Sequence, residues 1–164
     1  MEKELHNRIH QHLKDYDYSS EGAYFVTICT QNRRRLLSHI VGRGLAPAEI
    51  KYTKLGQIAE QQLLLLEERY SFLTVDGYVV MPDHIHAILI FDKKEAGASP
   101  RPTLFDVICA YKSLTTRECK KIYPIDKLFQ TSFYEHIIRN QEDYGERTRY
   151  IEENPLKWQL KNSD

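Results

Sequence analysis

Apolar and polar positions along the chain alternate between a period of two and a period near 3.6, which predicts strands interleaved with helices. Ala23-Tyr24-Phe25-Val26-Thr27-Ile28-Cys29-Thr30 is β-branched and aromatic and predicts a strand. Val41 to Pro47, with Gly42, Gly44 and Pro47, predicts a loop or small insertion. From 52 to 70, Leu55, Ile58, Ala59, Gln62, Leu63 and Leu66 recur at helical spacing and predict an amphipathic helix. Leu73 to Met81 and Ile85 to Phe91 read as strands parted by a Pro82-Asp83 turn, hence a hairpin. Ala96-Gly97-Ala98-Ser99-Pro100 is a flexible connection, and Leu104 to Lys121 predicts a helix with Phe105, Val107, Ile108, Tyr111 and Leu114 inward. A fourth strand is expected within Phe129 to Arg139, then a helix from Gln141 that Pro155 should end.

Strand, helix, strand, strand, helix, strand, helix is a split βαβ order. It predicts an α+β, ferredoxin-like domain: an antiparallel β-sheet with helices on one face and an extra C-terminal helix. We expect a single domain over 1–164, opening with a polar arm at 1–20 that carries His6, His10 and His12 at spacings without metal-site geometry.

Composition narrows the class. At 164 residues, 28% charged and 41% hydrophobic, the chain reads as an ordinary globular protein. It has no apolar run able to span a bilayer and no signal-peptide pattern, so a cytoplasmic location is expected. Cys29, Cys109 and Cys119 are widely spaced, which argues against a disulfide framework or thiolate zinc site and predicts small buried apolar residues. The formal net charge is zero, which weighs against a nucleic-acid binder. Local charge still decides such binding, and Arg33-Arg34-Arg35 forms one basic cluster while Lys112, Arg117, Lys120 and Lys121 form another.

His84-Ile85-His86 is the first candidate for chemistry. Residues i and i+2 of a strand share a face, so both imidazoles leave the sheet together and can hold one divalent cation. Two unrelated edge histidines would look the same in sequence. Tyr150 and Asn154 come next, four residues apart and therefore on one helical face. The carboxamide oxygen can complete a two-imidazole site with the phenol beside it; a core tyrosine and a helix-ending asparagine fit the same spacing. His136 alternates with apolar neighbours and can face the same cleft or serve packing.

The segments VVMPDHIHAILIF (79–91), KSLTTRE (112–118), LFQTSFYEHIIRNQEDY (128–144) and YIEENPLKW (150–158) follow in order, after an opening strand and QNRRRLL (31–37). Together they resemble the REP-associated tyrosine transposases, relatives of single-strand insertion-sequence transposases in the HUH endonuclease superfamily. The resemblance covers most of the chain. It implies His84, His86 and Asn154 as ligands of Mg²⁺ or Mn²⁺, and Tyr150 as a nucleophile that cleaves single-stranded DNA beside a hairpin. The products would be a 5′-phosphotyrosine and a free 3′-hydroxyl, and strand transfer would reverse the step. Arg33, Arg34, Arg35, Lys112 and Arg117 are expected to contact DNA, although a solvated turn accounts for the arginine run equally well. Relatives act either as homodimers that exchange tyrosine helices or with the tyrosine in the same chain. Two other readings stay open: a non-catalytic nucleic-acid-binding module that keeps the fold, and a metal hydrolase without a covalent step.

Overall fold

The computed structural model of the chain describes residues 17–42, 48–93 and 100–162. His6, His10, His12, most of the 42–47 loop and most of the 96–100 connection lie outside the described residues. The elements are β1 (Gly22–Cys29), β2 (Ser38–Val41), β3 (Glu49–Tyr52), α1 (Lys54–Leu64), α2 (Leu66–Arg69), β4 (Leu73–Val80), β5 (His84–Phe91), α3 (Leu104–Lys120), β6 (Tyr134–Ile138) and α4 (Gln141–Asn162).

The main sheet has the order β4-β5-β1-β6, and every pairing in it is antiparallel. The β4–β5 hairpin forms at the Pro82-Asp83 turn, as its sequence predicts. The chain passes through α1 between β1 and β4 and through α3 between β5 and β6, which gives the split βαβ connectivity of an α+β fold. β5 and β1 therefore occupy the centre.

Period-two alternation sorts the sheet's side chains into two layers. Tyr24, Val26 and Ile28 of β1 and Ile85, Ala87 and Leu89 of β5 pack with Leu55, Ala59 and Leu63 of α1 and with Leu104, Val107, Ile108 and Tyr111 of α3. The intervening residues Phe25, Val79 and Ile88 pack with Ile151 of α4 on the other face. The tyrosine helix thus covers the face opposite α1 and α3. His84 and His86 share the parity of Ile88, so the sheet delivers both to that second layer.

Four local expectations change. The helix expected over 52–70 starts later, because Tyr52 belongs to β3 and Thr53 caps α1 by accepting from the Gly56 amide, and it is divided at Leu65 into α1 and α2. A β2–β3 hairpin flanks what reads as a loop; its strands have only four residues each, too few to show a period. Pro155 does not end the last helix, which continues to Asn162 with the proline inside it. Cys109 is exposed, whereas Cys29 and Cys119 are buried. Among the described residues, no helix is long and apolar enough to cross a membrane.

Candidate metal centre and tyrosine helix

β5 starts at His84, directly after the turn, and the register sets His86 opposite Thr27 of β1 and Val79 of β4. The two imidazoles lie 4.6 Å apart between ring centroids, and both are buried. Each has its Nδ1 engaged. His84 Nδ1 lies 2.6 Å from Asp83 Oδ1, and His86 Nδ1 lies 2.8 Å from Thr27 Oγ1. Among the described residues no hydrogen bond engages either Nε2, so these nitrogens are the ones available to a ligand.

Burial drives the His86 imidazole well below its usual range, and the charges of His84, Arg33 and Arg147 push the same way. His86 is therefore neutral near pH 7, as a metal ligand must be. Burial would raise the Asp83 carboxyl, but hydrogen bonds and charge from His84 and Arg33 outweigh it and hold the group below its ordinary value. Asp83 is a carboxylate, able only to accept.

α4 brings the remaining pieces. Its turns place Arg147, Tyr150, Ile151, Asn154 and Trp158 along one side, at spacings of three and four residues. The Tyr150 ring stands 5.1 Å from His86 and 5.9 Å from Phe25 between centroids, while the residue remains 40% exposed. Asn154 is buried and donates its amide to the Tyr150 carbonyl at 3.2 Å, which leaves Oδ1 as its available atom. Trp158 lies 6.2 Å from His84, and Arg35 stacks over it at 5.0 Å. Lys157 sits 5.5 Å over Tyr150, and Arg147 sits 5.4 Å over Phe25. A phenol, two imidazoles and a collar of cations therefore gather on one face of the sheet.

The donor set fits a divalent cation. The imidazole nitrogens can ligate a borderline divalent ion, and a carboxamide oxygen with water suits the harder Mg²⁺ or Mn²⁺. Among the described residues no group of three or more His, Cys, Asp and Glu side chains could hold a metal, and Asn154 Oδ1 is a further oxygen donor on the helix that packs over the pair.

The other residues singled out in the sequence fall as follows. His136 does not meet the histidine pair; its Nε2 lies 2.7 Å from Asp143 Oδ2, and Asp143 in turn holds Arg147 at 3.3 Å. Arg33 stays exposed while donating to Asp83 at 3.0 Å and to Cys29 Sγ at 3.2 Å. Arg34 reaches Tyr123, and Arg35 reaches Asn162. Lys112 donates to the carbonyls of Gln130, Thr131 and Ser132, and burial pulls its ammonium down to about 8. Arg117 is exposed beside Glu118 and, with Lys112, lines a groove between α3 and residues 126–133. Sequence reasoning missed Thr27, Asp83, Arg147 and Trp158. Asp83 and Trp158 stood inside the quoted motifs; Thr27 is identified only by register.

Fold and site together define an antiparallel α+β domain with a tyrosine-bearing helix laid across a central two-histidine strand. Comparison with known proteins finds this arrangement's relatives among transposases. The chain is 28% identical over 170 residues to an uncharacterized protein of Haemophilus influenzae, covering 94% of this chain and 92% of that one. It is 26% identical over 153 residues to the REP-associated tyrosine transposase of Escherichia coli (strain K12), covering 90% and 75%. No family profile matches the chain. A solved REP-associated tyrosine transposase bound to a REP hairpin aligns with a TM-score of 0.65 at 21% identity, over 90% of this chain and 74% of its own. The resemblance to REP-associated tyrosine transposases carried by the motifs thus extends over nearly the whole chain and to its fold.

Proposed function

We propose that the protein is a DNA-processing enzyme of the transposase type that cleaves and rejoins single-stranded DNA beside a hairpin, with Tyr150 as nucleophile. The observation that carries this reading is the placement of Tyr150 beside His86 within one chain, at 5.1 Å between rings. His84 and His86, through Nε2, and Asn154, through Oδ1, would hold Mg²⁺ or Mn²⁺. Such an ion would polarise the phosphate and favour the phenolate over a phenol whose ordinary pKa is about 10.

Tyr150 Oη attacks the scissile phosphorus after giving its proton to solvent. An O–P bond forms, the 3′-oxygen leaves and takes up a proton, and the 5′-phosphate remains on the tyrosine. The phosphodiester bond energy is kept in that linkage, so a 3′-hydroxyl can later displace the tyrosine without a nucleotide cofactor. Arg147, Lys157 and Arg35 line the approach and favour an anionic backbone. The relative solved with a REP hairpin supports hairpin DNA as the substrate class.

The test is covalent trapping of labelled single-stranded DNA that carries an imperfect hairpin. We expect an adduct that needs Mg²⁺ or Mn²⁺ and is lost in Tyr150→Phe. His86→Ala should lose cleavage while keeping hairpin affinity, and Asn154→Ala should be milder because one ligand of three is removed. Cleavage that survives Tyr150→Phe but not His84→Ala would replace this reading with a metal hydrolase. Binding without cleavage under any ion would leave a non-catalytic module.

A further inference from the structure

Arg33 belongs to a basic run that invites assignment to DNA, yet two of its guanidinium nitrogens are engaged within the protein while the side chain stays 44% exposed. Its Nε donates to Asp83 Oδ2 at 3.0 Å and its Nη1 to Cys29 Sγ at 3.2 Å. The other oxygen of Asp83 lies 2.6 Å from His84 Nδ1. Asp83 is 6% exposed and has both its carboxylate oxygens committed, one to each partner.

The backbone around Arg33 is shaped for this reach. Asn32 and Arg33 both adopt left-handed conformations, at φ 57° and 53°, where side chains other than glycine are disfavoured. The strained turn is pinned by the Gln31 amide on the Leu128 carbonyl and by the Thr30 amide on the Asp83 carbonyl, at 2.8 and 3.0 Å. Such strain persists only where surrounding contacts over-determine it, and it clusters where a side chain must be aimed.

We propose that Asp83 and Arg33 are positioning residues of the metal centre: Asp83 fixes His84 with its proton on Nδ1 and Nε2 toward the cleft, and Arg33 locks Asp83. The inference rests on the metal reading given above. A carboxylate can only accept, so the 2.6 Å contact requires a proton on Nδ1, and in the neutral ring the lone pair then lies on Nε2, where a cation can take it. This is the carboxylate–histidine–metal arrangement in which the outer partner sets the tautomer, the ring angle and the ligand's basicity. Thr27 stands at the equivalent place for His86, 2.8 Å from its Nδ1. Arg33 thereby stands two hydrogen bonds behind the His84 ring.

Two measurements on the full chain test this. Long-range ¹H–¹⁵N spectra of the metal-free protein should show His84 protonated on Nδ1 in the wild type and lose that preference in Asp83→Ala. Calorimetric titration with Mn²⁺ alone should show affinity falling on the order of 10- to 100-fold in Asp83→Ala, and in the same direction, less steeply, in Arg33→Ala. Should Asp83→Ala fail to fold, Asp83→Asn and Arg33→Ala carry the same comparison. Wild-type His84 protonated on Nε2, or a folded Asp83→Ala that binds Mn²⁺ as the wild type does, overturns the inference. A wild type that binds no Mn²⁺ overturns the metal reading itself, and the tautomer then decides the role of Asp83 alone.

Discussion

Asp143 joins two residues whose separate purposes are obscure. Its carboxylate takes His136 Nε2 on one oxygen and Arg147 Nε on the other, at 2.7 and 3.3 Å. His136 therefore acts at one remove from the cleft, orienting the carboxylate that orients Arg147 over Phe25. Burial would raise the Asp143 carboxyl, but the hydrogen bond and charge of His136, with hydrogen bonds from Arg147 and the Arg139 backbone, prevail and hold it below the usual aspartate range. An acid with a depressed folded pKa contributes stability above its unfolded pKa, about 3.9, and loses it as pH falls through the folded value. Asp143→Asn should accordingly lower the denaturation midpoint at pH 7, with the deficit shrinking below about pH 4. A deficit that is constant across the acid range would show that the carboxylate's charge plays no part.

At the scale of elements, period carried most of what the sequence shows. The central strands β1 and β5 are covered on both faces and read as near-continuous apolar runs, and the Pro82-Asp83 turn marked β4 as the partner of β5, so these strands were legible, and so was the fact that His84 and His86 leave one face. α3 was legible because its inner stripe meets a single core. The β2–β3 hairpin was not, since its apolar residues Ile40 and Ile50 pack, like Trp158, against the second core layer of the main sheet, which is distant in sequence. Pro155 misled for a similar reason. Its missing amide is a local defect, and a tertiary clasp outweighs it: Trp158 on β2 and β3, Arg35 over Trp158, Arg35 on Asn162, and Gln159 on the Gly42 carbonyl. A proline in a helix interior costs ~3 kcal/mol relative to alanine, offset in part by up to ~1 kcal/mol from its stiffening of the unfolded chain. Pro155→Ala should then stabilise the protein by about 2 kcal/mol, readable as a higher thermal midpoint. A lower midpoint would mean that the ring itself packs in a way alanine cannot replace.

Across the whole molecule, a net charge of zero coexists with a cleft that gathers Arg35, Arg147 and Lys157, so the total conceals the local field. The larger question at this scale is whose tyrosine serves whose histidines. β6 ends at Ile138 and α4 begins at Gln141, so only Arg139 and Asn140 connect them. Two residues span at most ~7 Å, too little to carry a helix to a second chain without unmaking its docking. That docking holds both ends of α4: Asp143 on His136 and Tyr144 on Asp76 before the tyrosine, Trp158 and Asn162 with Arg35 after it. An exchanged arrangement would have to break all of these contacts and rebuild them on the partner. The geometry instead favours a tyrosine that works within its own chain. Mixing Tyr150→Phe with His86→Ala protein should therefore give no covalent adduct with hairpin DNA, because neither chain can lend its missing group. An exchanged dimer would restore an active site from the tyrosine of one variant and the histidines of the other. Adduct formation in the mixture, absent from each variant alone, would thus show that α4 crosses between copies during the reaction, whatever its position here.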